Sequence, residues 1–275
     1  MIRFLNFLQN HRWINTIIAL VYYIIVVTTH RQVGRFVAQN LDKPLGRENY
    51  NLLVITVGIV SLTVVILLLQ KRFRLTLDSP EKLKVIAYLS LLIALIAIAI
   101  NVIMVVNVEI IHIAQYCVMA ILMYPLLRNF NLVMVITTIL GALDEAYQYW
   151  YLFPEKSDYF DFNDVIINFL GVVLGLIIIR SQGLKSHSNH SVWYKSYSFY
   201  ILIALVVISS IGLSFGYIST SPNTEDSSAI IELVRKYKPG FWRIIPPQVK
   251  FHVIRPLEFV VLILFLMGIF RKLGD

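Results

Sequence analysis

The stretch "NLVMVITTILGALDEAYQYW" (131–150) joins a long apolar run to two adjacent acids, Asp144 and Glu145. About 20 mostly apolar helical residues are enough to cross the hydrocarbon core of a bilayer. A carboxylate is unfavourable at that depth, and an acid in a spanning helix therefore indicates a functional site. The stretch predicts a membrane-spanning helix with a polar site near its end.

The rest of the chain has the composition of a membrane protein. Of its 275 residues 58% are hydrophobic and only 15% are charged, whereas soluble domains average about 25% charged. Apolar stretches of spanning length occur at 13–29, 50–70, 85–106, 109–127, 131–150, 163–180, 197–217 and 252–270. We therefore predict an all-α integral membrane protein with about eight transmembrane helices in one antiparallel bundle.

The net charge of +8 is explained by topology and does not indicate nucleic-acid binding. Most Lys and Arg residues lie between the apolar runs, where they set orientation and face anionic lipid. The short loop "KRFRLTLDSPEKLK" (71–84) is the clearest basic connection, and it favours both termini in the cytoplasm. The expected partner is the lipid bilayer. The single Cys117 leaves no internal disulfide and no cysteine-based metal site.

Three parts of the chain are distinguished by their patterns. Residues 1–84 form a predicted two-helix hairpin with a basic loop, 85–180 a four-helix core, and 181–275 the C-terminal helices. Within the last part, apolar and basic residues of 227–248 mix at helical spacing. This spacing predicts an amphipathic helix that either lies on the membrane surface or packs on the bundle.

Polar residues near 109–127 and after 131–150 fall at one end of the bundle, which the expected topology places outside. His112, Gln115 and Tyr116 follow one face of a helix. The sequence therefore predicts a polar mouth at that end.

The acids are concentrated in the same region. Six of the sixteen acids occur from Asp144 to Asp164, against a single Lys156. Successive helical residues point about 100° apart, so Asp144 and Glu145 must face different surroundings. They form either a protein-facing acid/base pair or a solvated helix end. Asp161 and Asp164 have the alternative of capping the next helix.

Small residues in the next apolar run indicate how it packs. Asn168, Gly171 and Gly175 repeat along one stripe, which predicts close packing against another helix.

Three motifs in this order resemble the VanZ-like family of bacterial cell-envelope membrane proteins. They are H-x-x-Q-Y at 112–116, D-E-x-x-Q at 144–148 and D-x-x-D-V-x-x-N-x-x-G-x-x-x-G at 161–175. The resemblance covers roughly residues 85–180. It implies a location in the bacterial cell (inner) membrane and a relation to teicoplanin resistance, the property for which the family's namesake is known.

The family signature and the polar pattern together give the candidate site. Catalytic roles are expected for His112, Asp144, Glu145, Gln148, Asp161, Asp164 and Asn168. Substrate contacts are expected from Tyr116, Gln115, Lys156 and Arg255, although Arg255 has the alternative of pairing with Glu258.

Two of these residues depart from the family pattern. Gln115 stands where the family usually has Glu, and Lys156 replaces a usual Arg. Lys cannot make the planar two-pronged contact with phosphate that Arg makes.

Three classes of function remain open from the sequence. The protein could be an enzyme acting on a lipid-linked or amphiphilic envelope molecule, a non-catalytic binder of such a molecule, or a proton- or cation-coupled transporter. No cofactor is required by the pattern. Clustered carboxylates could hold Mg²⁺ or Ca²⁺, and a single well-placed His makes Zn²⁺ less expected.

Overall fold

Long helices dominate the computed structural model, which describes residues 1–46, 49–50, 52–54, 56–58, 63, 67, 78–104, 107–155, 157–186, 197–220, 229–235, 242–245 and 249–275. The helices are α1 (Ile2–Asn10), α2 (Arg12–Val37), α3 (Ser79–Val102), α4 (Ile111–Leu127), α5 (Phe130–Tyr147), α6 (Phe162–Arg180), α7 (Tyr197–Ser214) and α8 (Pro256–Phe270). The predicted helical class agrees with this architecture.

In the described part of the chain, four helical segments are long and apolar enough to cross a membrane, which indicates a helical membrane protein. They are Arg12–Leu45, Pro80–Val102, Phe130–Leu152 and Phe162–Arg180. Shorter apolar helices cover Ile111–Leu127 and Phe199–Ser214. The predicted span at 50–70 lies largely outside the described residues, so a total of eight spans stays a prediction.

Helices α4 and α6 make the most extensive helix–helix contact. A Cβ added to Gly171 or Gly175 would stand 2.5 Å from the main-chain oxygen of Ile113 or Cys117, respectively. These distances leave no room for a side chain, so the glycines let the two helix backbones approach closely. The predicted packing stripe on α6 is confirmed.

Helix α2 packs antiparallel to α4 through polar side chains that reach main-chain oxygens. Asn15 Nδ2 donates to Leu122 O at 3.1 Å, and the Tyr22 hydroxyl donates to Gln115 O at 2.9 Å. Such bonds satisfy polar groups that lipid could not. Although α2 falls in the predicted N-terminal hairpin, it belongs to the same bundle as α4, α5 and α6.

The junction between α5 and α6 is shaped by a wide turn and by a cap. Helix α5 continues into a π-helical turn, Gln148–Leu152, a feature that is frequent at functional sites. The Asp161 carboxylate caps α6 by accepting from Asn163 N–H at 3.0 Å. The Asn163 amide nitrogen donates to Ile103 O at 2.9 Å and to His252 O at 2.7 Å, which fixes the start of α6 between two other segments.

The connection before α8 contains strands. They are β1 (Ile218–Ser219), β2 (Ile231–Glu232), β3 (Trp242–Ile245) and β4 (Val249–His252); β1 pairs with β2 in parallel and β3 with β4 antiparallel. The amphipathic helix predicted over 227–248 is therefore wrong at the described positions 231–232 and 242–245. The helical fold carries two short strand pairs in addition.

Hydrogen bonds to residues that are far away in the sequence explain why residues 231–235 are extended. Leu233 N–H donates to Ser219 O at 2.9 Å, Phe160 N–H donates to Leu233 O at 2.8 Å, and Arg235 N–H donates to Asp158 O at 2.8 Å. β-Branched residues such as those at 230, 231 and 234 favour this conformation. We call residues 231–235 the strap, because they hold the loop between α5 and α6.

Candidate functional site

Polar side chains from α2, α4, α6 and the C-terminal part of α5 meet between the helices. This group, here called the polar centre, consists of His30, His112, Tyr116, Asp144, Glu145, Gln148, Asp164 and Asn168. Six of the seven residues predicted to be catalytic belong to it, as does Tyr116 from the predicted substrate contacts. The structure thus brings together residues from four separate segments.

Asp144 is buried, and its two carboxylate oxygens have partners. His30 Nε2 lies 3.0 Å from Oδ1 and 3.1 Å from Oδ2, and the Tyr116 hydroxyl donates to Oδ2 at 3.0 Å. The side chain is 0% exposed. A buried carboxylate is tolerated when donors compensate for the lost water. Asp144 is therefore a rigidly held group that joins α2, α4 and α5.

Glu145 faces a different part of the centre. Gln148 Nε2 donates to Glu145 Oε1 at 3.0 Å. Ligand atoms of Glu145, His112 and Asp164 lie within 4.8 Å of one another. The two adjacent acids point to different neighbours, as the helical turn required. Because both acids are buried, the alternative of a solvated helix end does not hold.

His112 is oriented by Asn168. The amide oxygen of Asn168 can only accept, so the 3.0 Å contact is donated by His112 Nδ1–H. The His112 ring also stacks on the His30 ring, with centroids 5.4 Å apart and planes 19° apart. A Cβ on Gly141 of α5 would come within 3.2 Å of the Asn168 side chain. The absence of that Cβ lets α5 approach the centre.

Asp161 lies next to the centre as the cap of α6. Burial, and then the neighbouring Asp164 carboxylate, raises the pKa of Asp161 to about 7. Its carboxylate binds Asn163 N–H, which matches the capping alternative. The cap leaves its predicted catalytic role a prediction.

The remaining predicted substrate contacts lie elsewhere or are not described. The main-chain oxygen of Gln115 accepts from Tyr22, and the side-chain oxygen of Gln115 is buried without a partner among the described residues. The Arg255 guanidinium binds Glu258, which is the pairing alternative. Lys156 lies outside the described residues.

His30 is the member of the centre that sequence reasoning missed. It lies in α2, outside residues 85–180, which carry the three sequence motifs. It follows Thr28 and Thr29 and precedes Arg31 at the end of an apolar run. This ionisable residue directly after the predicted span 13–29 was the available signal, since ionisable residues at membrane depth mark sites.

The polar centre holds more acidic than basic side chains. Asp144, Glu145 and Asp164 supply three carboxylates, and the contacts given for them among the described residues come from imidazoles, an amide and a hydroxyl. Closely spaced carboxylates require a positive partner, either a proton or a cation. The centre can therefore exchange protons or bind a cation.

An apolar cleft lies on the other side of α6. Its volume is about 390 Å³, and it is lined by side chains of α3, α6 and α8, including Ile98, Ile166 and Leu262. His252 and Glu258 also line it, and they pair at 3.3 Å. Ile166 lies about 200° around α6 from Asp164. Helix α6 thus separates the cleft from the polar centre.

A comparison of the chain with family models, with curated proteins and with solved structures finds no match.

Proposed function

We propose that this protein binds or chemically modifies a lipid-linked or amphiphilic molecule of the bacterial cell envelope. It does so from the inner membrane, with both termini in the cytoplasm and the polar centre near the outer face. The observation that carries the proposal is a cluster of three carboxylates and two imidazoles between apolar helices, in which Asp144, Glu145 and His112 are buried and His30 and Asp164 are partly exposed. Placing ionisable groups between membrane-spanning helices costs free energy, so they are usually found there only where they serve a function.

The arrangement suits acid/base chemistry or recognition of a polar head group. Asp144 is held by His30 and Tyr116, so its geometry is fixed before any ligand arrives. Glu145 and Asp164 have fewer contacts and are the groups available to a ligand. A general acid or base must come within about 2.6–3.2 Å of the proton that it moves.

The apolar cleft between α3, α6 and α8 supports an amphiphilic ligand. Its aliphatic lining fits an acyl chain. The resemblance to the VanZ-like family directs the first test to teicoplanin, a glycopeptide that carries such a chain.

The test measures whether expression of this protein protects a teicoplanin-susceptible bacterium against teicoplanin. We expect the unaltered protein to raise the inhibitory concentration, and Asp144→Asn and Glu145→Gln to return it to the vector level. Asp158→Asn is the matched control, because Asp158 pairs with Arg243 at 3.5 Å outside the centre. Membrane levels of each variant are measured by immunoblot. Full protection by both variants of the centre would contradict the proposal.

A second assay separates chemical modification from binding. The purified protein is incubated with envelope lipids and with teicoplanin, and the mixture is analysed by mass spectrometry. A new product that depends on Glu145 indicates an enzyme. Retention of an unchanged molecule indicates a binder. A glycopeptide without an acyl chain shows whether the apolar tail is required.

Proton- or cation-coupled transport is the second candidate. The observations in its favour are that the Tyr116 hydroxyl and His30 Nε2 both contact Asp144 at 3.0 Å, and that the Gln148 amide nitrogen lies 3.5 Å from His30 Nε2 and donates to Glu145 at 3.0 Å. Acids and histidines grouped in this way form proton relays in membrane transporters. Proton flux into liposomes containing the protein, and its loss in Glu145→Gln, would favour transport.

A further inference from the structure

We propose that His112, Glu145 and Asp164 bind one divalent first-row transition-metal ion, with Zn²⁺ and Mn²⁺ as the test ions. The three residues lie on α4, α5 and α6, so the ion would join three helices. The role of the ion in chemistry rests on the proposed function, whereas the binding site rests on geometry alone.

The distances between the three side chains fit a shared ion. One ligand atom from each residue lies within 4.8 Å of the others. Protein ligands bind such ions at about 2.0–2.2 Å, which places ligand atoms roughly 3–4 Å from one another. His112 Nε2 and Asp164 Oδ2 are 3.9 Å apart, too far for a hydrogen bond but suitable for two ligands of one ion.

The orientation of His112 is an independent observation in favour of the site. Its Nδ1–H donates to Asn168 Oδ1, so in the neutral ring Nε2 carries a lone pair. That lone pair lies beside the carboxylates of Glu145 and Asp164, an arrangement that is repulsive unless a cation or a proton intervenes. Metal-binding histidines commonly donate their other ring N–H to an oxygen in this way.

The neighbouring residues support these ligands without competing for the ion. Asp144 already has partners on both oxygens, so Glu145 is the adjacent acid left for an ion. Gln148 binds one Glu145 oxygen and orients that carboxylate. Three protein ligands leave at least one position for water or a substrate oxygen, as in open metal sites. The Asp164 side chain, 15% exposed, marks the accessible side.

The donor set selects the class of ion. Mg²⁺ and Ca²⁺ prefer oxygen ligands, whereas imidazole nitrogen suits first-row transition metals. The sequence-based expectation of Mg²⁺ or Ca²⁺ took a single histidine as an argument against Zn²⁺ and relied on the clustered acids. The structure places the His112 nitrogen among them, so the mixed set favours Zn²⁺ or Mn²⁺.

The test uses the full chain in detergent micelles, stripped with a chelator and then equilibrated separately with Zn²⁺, Mn²⁺, Mg²⁺ or Ca²⁺. Bound metal is counted by mass spectrometry, and Mn²⁺ is followed by paramagnetic resonance. We expect one Zn²⁺ or Mn²⁺ per chain. Glu145→Gln and Asp164→Asn should weaken binding at least about tenfold. Asp158→Asn, the same change outside the centre, should bind as the unaltered protein does.

A spectroscopic measurement on the unaltered protein tests the site without depending on a folded variant. Nitrogen hyperfine coupling to bound Mn²⁺ is expected in the unaltered protein, because His112 would be a direct ligand. His112→Gln should remove that coupling. Circular dichroism and gel filtration establish that each variant used for comparison is folded.

Three results would overturn the inference: no Zn²⁺ or Mn²⁺ bound above the level of a chelator-treated blank, equal binding by the folded Glu145→Gln and Asp164→Asn variants, or exclusive binding of Mg²⁺ or Ca²⁺. The proposed function can fail separately. Protection that depends on Asp144 and Glu145 without bound metal would refute only the ion. Bound metal without protection, lipid modification or lipid binding would refute only the function.

Discussion

The two ends of α6 carry buried charges of different kinds. At its C-terminal end, Arg180 is 1% exposed and binds Glu81 at 3.1 Å, and Lys185 also contacts Glu81. At its N-terminal part, Asp164 belongs to the polar centre. Asp164 and Arg180 are sixteen positions apart, which corresponds to about 24 Å along the helix.

The difference between these regions lies in charge compensation. The Glu81 carboxylate has two cationic partners, which is the balance expected of a structural ion pair. The carboxylates of the polar centre are partnered by imidazoles and neutral donors. An acid that already has cationic partners fastens helices together, whereas carboxylates that need a further positive partner are suited to bind one. The comparison separates a structural role from a functional one within a single helix.

The largest expected effect on stability comes from removing Arg180. Arg180→Met removes the bonds of this buried guanidinium to Glu81 and to Asp275 O, and hydrogen bonds to charged groups contribute about 1.5–3 kcal/mol each. Unfolding in mixed detergent micelles would measure the loss. Lys185→Met is the control, because Lys185 is 58% exposed and its pairing contributes less. If Arg180→Met is as stable as the unaltered protein, the Arg180–Glu81 pair has no structural role.

Replacing His30 should lower both stability and function. His30→Phe leaves Asp144 with Tyr116 as its remaining described partner, and an under-compensated buried group costs about 1–3 kcal/mol. The same unfolding measurement and the teicoplanin assay apply. His11→Phe is the matched control, because His11 is exposed and its side-chain contacts within the described part of the chain are with Phe7, one turn earlier. Equal stability and equal protection in the two variants would show that His30 contributes nothing to the polar centre.

Two tyrosines of α4 allow the same substitution, Tyr→Phe, to be compared at the polar centre and at the opposite end of the bundle. The Tyr116 hydroxyl donates to Asp144, whereas the Tyr124 hydroxyl donates to Lys185 O at 2.9 Å near the other end. Loss of the Tyr116 bond, whose acceptor is a carboxylate, should cost about 1.5 kcal/mol, and loss of the Tyr124 bond to a neutral carbonyl should cost about 1 kcal/mol. We expect Tyr116→Phe to reduce protection per folded molecule and Tyr124→Phe to leave it unchanged. A reversed order in the protection assay would refute the assignment of the two ends.

The smallest effect is expected at Asp161. Asp161→Ala should cost about 1 kcal/mol because the N-cap of α6 is lost, while Asp161→Asn should stay within about 0.5 kcal/mol because Asn caps as well as Asp. Thermal unfolding measures both. If Asp161→Asn keeps stability but loses protection, the Asp161 charge takes part in function beyond capping.

Local periodicity predicted much of the site. Helical spacing put His112 and Tyr116 on one face and sent Asp144 and Glu145 to different neighbours, and the structure agrees on both. The glycine stripe on α6 also met its partner helix as expected. These features depend on a few residues along one helix, where the helical repeat fixes direction.

Interactions between distant segments were harder to predict. Helix α2 is apolar on most of its surface, so its sequence does not reveal which face meets α5, and His30 could not be assigned to Asp144. The strap was mistaken for a helix because apolar and basic residues at 231–235 fit both periods. Its backbone bonds to residues 158, 160 and 219 decided the conformation, and local spacing carries no information about such partners.

The strap is also connected to the buried acids through the π-helical turn that follows α5. Arg235 Nη1 donates to the main-chain oxygens of Tyr149 and Pro154, each at 2.8 Å, and its guanidinium lies 4.0 Å from the centre of the Tyr149 ring. Tyr149 directly follows Gln148, the residue that orients Glu145. A molecule that grips the segment around Arg235, such as an antibody fragment, could therefore shift the carboxylate from outside the bundle without entering it.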